Sequence, residues 1–227
     1  MKPGCLVIHG FAGDVYEVLP LAQQLKDAGY AVECPTLEGH GLTRRQLARS
    51  KRHDWLGSAE EAYKRLAMRA DPIVLIGFSM GGLLAIHLAS KYPSEMLITV
   101  NTPYQYWDLG QVVRNLRSDF RPHASRYLNS MTRIPVSSML QFRLLLTETK
   151  QIMPKVTCPS VILQTKRDDT VKAISAEHLK RELGSEDCSV YYFPESGHKL
   201  LLDVEAEQAI RLIQEQIDQR LTDRAHV

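Results

Sequence analysis

The stretch Ile73-Val74-Leu75-Ile76-Gly77-Phe78-Ser79-Met80-Gly81 decides how the rest of the chain is read. An apolar, β-branched run ends in a G-x-S-x-G turn, and a pattern with helical period, Gly81 to Tyr92, begins directly behind it. The turn needs both glycines. Its serine sits at a tight, strained corner from strand to helix, where a side chain on either flank would strike the neighbouring strand or helix. A serine so placed holds its hydroxyl above the edge of a sheet. Composition alone would give about 0.05 such matches in the whole chain.

Outward from that corner, Cys5 to His9, Ala31 to Pro35, Met96 to Asn101, Ser160 to Thr165 and Ser189 to Phe193 are further short apolar or β-branched runs. With Ile73 to Phe78 they make six expected strands. Val15 to Ala28, Asp54 to Arg69, Ala173 to Leu183 and Glu205 to Leu221 carry a 3.6-residue period and are expected helices. Asp14 with Glu17 has capping-box spacing at the head of the first, and Gly29 stands where a left-handed residue would close it. Buried strands alternating with amphipathic helices specify an α/β fold, a parallel sheet with helices on both faces, because each crossover returns the chain in the same direction. The alternation breaks once, between Pro103 and Lys150, where helical segments follow one another without a strand. The expected organisation is therefore a core of residues 1–102 and 151–227, with residues 103–150 inserted as a small helical cap.

Composition narrows the function. A chain of 227 residues with 44% apolar content suits one large domain. Its 28 Lys and Arg against 26 Asp and Glu give a formal charge of +2, with both signs intermixed, so no long-range field of the kind that holds nucleic acid is expected. Even the runs Ile73 to Phe78 and Leu144 to Leu146 fall far short of a membrane span, and no stable membrane anchor is expected. The first strand starts just after Met1-Lys2-Pro3-Gly4, which leaves no room for a signal peptide. Cys5, Cys34, Cys158 and Cys188 stand singly with no C-x-x-C pair; they read as reduced packing residues in a cytoplasmic protein, and no metal site is expected.

A serine hydroxyl is a poor nucleophile at neutral pH and needs a base, which in turn needs an orienting carboxylate. Of eight histidines, His198 follows the last expected strand in Pro194-Glu195-Ser196-Gly197-His198. Taken alone it is a solvated loop residue. With Ser79 the reading reverses, since all strand carboxyl ends of a parallel sheet share one rim. Asp168 and Asp169 follow the fifth strand on that rim. Asp168, three residues before Val171, is the favoured acid, while Asp169 could cap the helix near Ala173; both could also be turn residues. The order Ser, Asp, His is that of one serine-hydrolase arrangement and not of the other two. Backbone donors for a developing oxyanion are expected at Met80, which opens a helix, and at Phe11 in His9-Gly10-Phe11-Ala12-Gly13. His9 and His40 read as structural residues of their turns, with contact to substrate as the other reading for His40.

These features resemble the α/β hydrolases, in particular the small bacterial carboxylesterases and monoacylglycerol lipases. The resemblance covers nearly the whole length and rests on His9-Gly10-Phe11 with Gly13, Gly39-His40-Gly41, Asp54-Trp55, Gly77 to Gly81, Asp168 with Val171, and Ser196-Gly197-His198. It implies a sheet order of 2-1-3-4-5-6, Ser79, Asp168 and His198 as the catalytic triad, and Phe11 and Met80 as the oxyanion hole. The chain departs from many members of the group at Thr165, where they carry a glycine three residues before the acid.

The expected activity is hydrolysis of short- to medium-chain carboxylic esters, monoacylglycerols among them, through an acyl-enzyme on Ser79. No cofactor is required, and the partner is a small-molecule ester. An acyl-thioesterase or acyltransferase would use the same residues, and a non-catalytic ligand receptor could keep the same shell. Trp55 is expected in packing, while Tyr104 and Trp107, just past the fourth strand, are candidates for substrate binding or for lid packing. Residues 103–150 hold seven basic residues against three acidic ones, interleaved with apolar positions that suit an acyl chain. The arginines read as a solvated exterior, with attraction of an anionic substrate as the other reading.

Overall fold

The structure, a computed structural model, describes residues 2–105 and 134–225. Its strands are β1 (Lys2–Ile8), β2 (Ala31–Glu33), β3 (Ala70–Phe78), β4 (Met96–Val100), β5 (Ser160–Thr165) and β6 (Cys188–Phe193). All pair in parallel, in the order β2-β1-β3-β4-β5-β6, as the resemblance implied. Leu6 lies opposite Leu75, Ile76 opposite Ile98 and Leu163 opposite Tyr191, so apolar positions form continuous rows across the sheet.

The two-residue period of a strand then sends alternate side chains to opposite faces. Leu6, Ile8, Leu75, Leu97 and Ile162 join one core cluster; Cys5, Val7, Val74, Ile76, Ile98 and Leu163 join another. Seven helices are found among the described residues: α1 (Leu19–Asp27), α2 (Arg44–Arg49), α3 (Arg52–Ala67), α4 (Met80–Ala89), α5 (Val136–Ile152), α6 (Ile174–Glu182) and α7 (Ala206–Ala225). Leu66 of α3, Leu83 of α4, Leu145 of α5 and Leu179 of α6 belong to the first cluster, while Leu21 and Leu25 of α1 and Ile213 and Ile217 of α7 belong to the second. Both faces are thus covered, as a sheet apolar on both sides requires.

Two expectations change. The first helix does not start at Val15: residues Val15–Glu17 form a 3-10 turn and α1 opens at Leu19, with Pro20 in its first turn. Proline lacks the N–H that a helix interior needs, so it sets the start of the helix. Asp14 caps the 3-10 turn through Tyr16 N–H, but Glu17 does not complete a capping box; its carboxylate turns inward to accept from Gly10 N–H at 3.3 Å. Helix α2 was not expected. It holds one buried apolar residue, Leu47, and rests on a capping box between Thr43 and Gln46. Of the expected cap segment 103–150, residues 106–133 lie outside the described residues; among the rest, Phe142, Leu145 and Leu146 of α5 pack into the core. Gly29 closes α1 with φ +93°, as expected.

Candidate active site

Ser79 sits between β3 and α4 with φ 53° and ψ −120°, and its N–H donates to Val100 C=O at 2.8 Å. The two flanking glycines are sterically required. A Cβ on Gly77 would stand 2.2 Å from Gly81 C=O oxygen, and one on Gly81 would stand 2.1 Å from Ile8 C=O oxygen. Both obstacles are backbone and cannot swing away. Met80 opens α4, so its N–H belongs to the first-turn donors that a helix leaves without internal partners.

His198 follows β6 and comes to the same rim. Its Nε2 lies 3.1 Å from Ser79 Oγ and its Nδ1 2.8 Å from Asp168 Oδ2. The Asp168 side chain is 1% exposed, and its other oxygen accepts from Thr170 N–H and Val171 N–H, both at 2.7 Å. A carboxylate held by two backbone donors has its second oxygen aimed in one direction, here at the imidazole. Asp169, the alternative acid, instead accepts from the Thr170 hydroxyl at 3.2 Å. The loop carrying His198 is itself tied down: Glu205 accepts from Ser196 N–H at 2.7 Å, Ser196 Oγ accepts from Glu205 N–H at 3.1 Å, and Asp203 accepts from Gly197 N–H at 2.8 Å. Ser79 and His198 open onto a cavity of ≈ 670 Å³ walled by Phe11, Leu42, Leu47, Met139, Phe142 and Val171.

A sequence model of the alpha/beta hydrolase family matches residues 5–212. The chain belongs to that family. Among its relatives, a thermostable monoacylglycerol lipase of Bacillus sp. (strain H-257) is 28% identical over 218 residues, covering 91% of this chain and 87% of the relative. A carboxylesterase of Bacillus subtilis (strain 168) is 22% identical over 213 residues, covering 89% and 87%. A solved structure from a study of LipS and LipT, two metagenome-derived lipolytic enzymes, superposes with TM-score 0.84 at 23% identity, over 96% of this chain and 94% of the other.

In this alpha/beta hydrolase the remaining expected site residues divide. Phe11 lines the cavity, in a turn closed by Gly13 N–H donating to Gly10 C=O at 3.4 Å. His9 is buried, donates from Nδ1 to Gly10 C=O and accepts from Leu37 N–H on Nε2, and burial pushes its pKa down. It is a neutral brace between two loops. His40 is 1% exposed and burial pushes it down to about 4; its Nδ1 donates to Glu38 C=O at 3.1 Å. Trp55 is wholly buried and donates to Ser50 Oγ at 2.9 Å, consistent with packing.

Tyr104 is not among the described residues that line the cavity. It stacks on His178, ring centroids 4.6 Å apart, with the Lys150 ammonium 4.2 Å from its ring centre. Trp107 lies outside the described residues. Two residues at the site were not among those expected. Glu17 is 6% exposed, lines the cavity and pairs with Lys199 at 3.1 Å, while Asn101, wholly buried at the end of β4, donates to His198 C=O at 2.7 Å. Among the described residues no cluster of His, Cys, Asp or Glu could hold a metal ion, and no helix is long and apolar enough to cross a membrane.

Proposed function

We propose that this chain is a serine carboxylesterase acting on short- to medium-chain carboxylic esters, monoacylglycerols among them. The observation that carries the reading is the unbroken row of hydrogen bonds from Ser79 Oγ through His198 to buried Asp168, at the mouth of an apolar cavity. His198 Nε2 takes the hydroxyl proton as Ser79 Oγ attacks the ester carbonyl, and Asp168 holds the ring in the tautomer whose Nε2 can accept it. Phe11 and Met80 N–H groups stabilise the tetrahedral oxyanion. The imidazolium returns its proton to the departing alkoxide, leaving an acyl group on Ser79. Water, deprotonated by the same imidazole, then releases the carboxylate and restores the serine. Of the expected cap segment, Met139 and Phe142 of α5 contribute to the apolar wall that receives the acyl chain. The names of the two Bacillus relatives agree with an ester substrate.

Replacing Ser79 by Ala is the test. Hydrolysis of p-nitrophenyl butyrate should fall to background with the melting temperature retained, and a fluorophosphonate should label the parent protein but not the variant. Turnover that survives in Ser79→Ala rejects the assignment. Acyl thioesters turned over well ahead of the matching oxygen esters, or partition of the acyl group to added alcohols in preference to water, would move the reading to a thioesterase or an acyltransferase.

A further inference from the structure

The end of β4 touches every loop of the proposed relay. Val100 C=O accepts from Ser79 N–H at 2.8 Å, and Asn101 N–H donates to Leu163 C=O of β5 at 2.9 Å. The Asn101 side chain then reaches the other two loops. Its Oδ1 accepts from Thr165 N–H at 2.8 Å and from Thr165 Oγ at 3.2 Å, three residues ahead of Asp168. Its Nδ2 donates to the backbone C=O of His198 itself at 2.7 Å. The amide can point only one way, because the Thr165 N–H has only a proton to offer and the His198 C=O only lone pairs. Asn101 is 0% exposed and its φ is +48°, a left-handed backbone that asparagine tolerates better than other side-chain-bearing residues.

We propose that Asn101 is a positioning residue that sets the separation of Asp168 and His198 by clamping their two loops to the strand that also holds Ser79. The inference rests on the esterase reading above. One short, rigid side chain spans from the root of the acid loop to the main chain of the base. Without it the acid loop and the base loop lose this shared anchor, and their spacing rests on the His198–Asp168 bond and on Lys166 N–H donating to Phe193 C=O at 2.8 Å. A carboxylate at this position could accept from Thr165 but not donate to His198; an aliphatic side chain could do neither.

Two substitutions separate this from a structural role. Asn101→Gly keeps the left-handed backbone and removes the amide; Asn101→Asp keeps the shape and the acceptor for Thr165 but sets an oxygen against the His198 carbonyl. Each should lower kcat on p-nitrophenyl butyrate about ten- to a hundredfold, per serine titratable by a fluorophosphonate, with KM held within about threefold. The far-downfield proton signal of the Nδ1–H bonded to Asp168 should broaden or vanish while the far-ultraviolet circular dichroism stays unchanged. A folded variant with kcat within twofold of the parent overturns the inference. So does a loss of rate fully explained by fewer titratable serines with the downfield signal intact, or a failure of both variants to fold, since each would assign Asn101 to the fold alone. A parent protein that neither turns over esters nor takes the label would instead reject the esterase reading.

Discussion

Replacing Glu17 by Ala tests whether the turn carrying Phe11 is held from outside itself. Glu17 Oε2 accepts from the buried Gly10 N–H at 3.3 Å, and Oε1 lies 3.1 Å from Lys199 Nζ, next to His198. Removing the carboxylate strands the Gly10 N–H, which costs about 1–3 kcal/mol. The ion pair adds less, about 0.5 kcal/mol, because the Lys199 side chain is 47% exposed and screened by water. For a chain of this size the two together correspond to a fall in melting temperature of roughly 3–14 °C. Glu17→Gln retains an acceptor for Gly10 and loses only the pair, so its melting temperature should drop by about 1–2 °C, and by less still at high salt. If Phe11 N–H serves as an oxyanion donor, Glu17→Ala should also lower kcat about tenfold or more, with Glu17→Gln near the parent. Thermal melts with ester kinetics at low and high salt read both effects. Glu17→Ala that melts within 1 °C or so of the parent and keeps its kcat would refute the reasoning, since the carboxylate would then support neither the turn nor the donor.

Asp168→Asn keeps an oxygen for the Thr170 and Val171 N–H groups but turns an N–H toward His198 Nδ1, which forces the proton onto Nε2, facing Ser79. The expected result is a fall in kcat of about 10⁴-fold with the fold retained; a variant within tenfold of the parent would mean that tautomer control is not the role of Asp168. A pH titration of stability addresses the buried histidines. Burial pushes His40 and His87 each down to about 4 from 6.5, so the unfolded chain takes up protons below pH 6.5 that the folded chain refuses until about pH 4. The stability they confer is present above pH 6.5 and is lost as pH falls through that window, at up to about 1.4 kcal/mol per pH unit for each. Melting temperatures should decline from pH 6.5 to 4, and His87→Asn should flatten the decline; a slope unchanged by that substitution would place the titration elsewhere.

What could be read from the sequence follows from how far each constraint reaches along the chain. The serine corner could be read because Gly77 and Gly81 answer to backbone within the same turn and the adjacent strand, and spacing alone records such a constraint. His198 and Asp168 could be read because a parallel sheet gathers its carboxyl ends on one rim, so topology stands in for distance. Glu17 could not: its spacing from Asp14 suggests a local cap, yet Pro20 fixes where α1 starts and leaves the carboxylate to Gly10 and Lys199, the latter 182 positions away. The same holds for α2, whose single buried leucine is too little for a period to register, although Thr43 and Gln46 spell its capping box. The position of Tyr104 past β4 leaves both substrate binding and lid packing open, and its ring partners His178 and Lys150 come from α6 and α5, which no local pattern names. Asn101 is the instructive case. Its partners lie 64 and 97 residues away, and still the chain carries a hint, because the residue that directly follows the strand Met96-Leu97-Ile98-Thr99-Val100 is an amide with both donors and an acceptor. Such a group, if buried at the carboxyl end of a buried strand, needs partners beyond the strand, and on a parallel sheet the groups within reach there are the loops that carry the site.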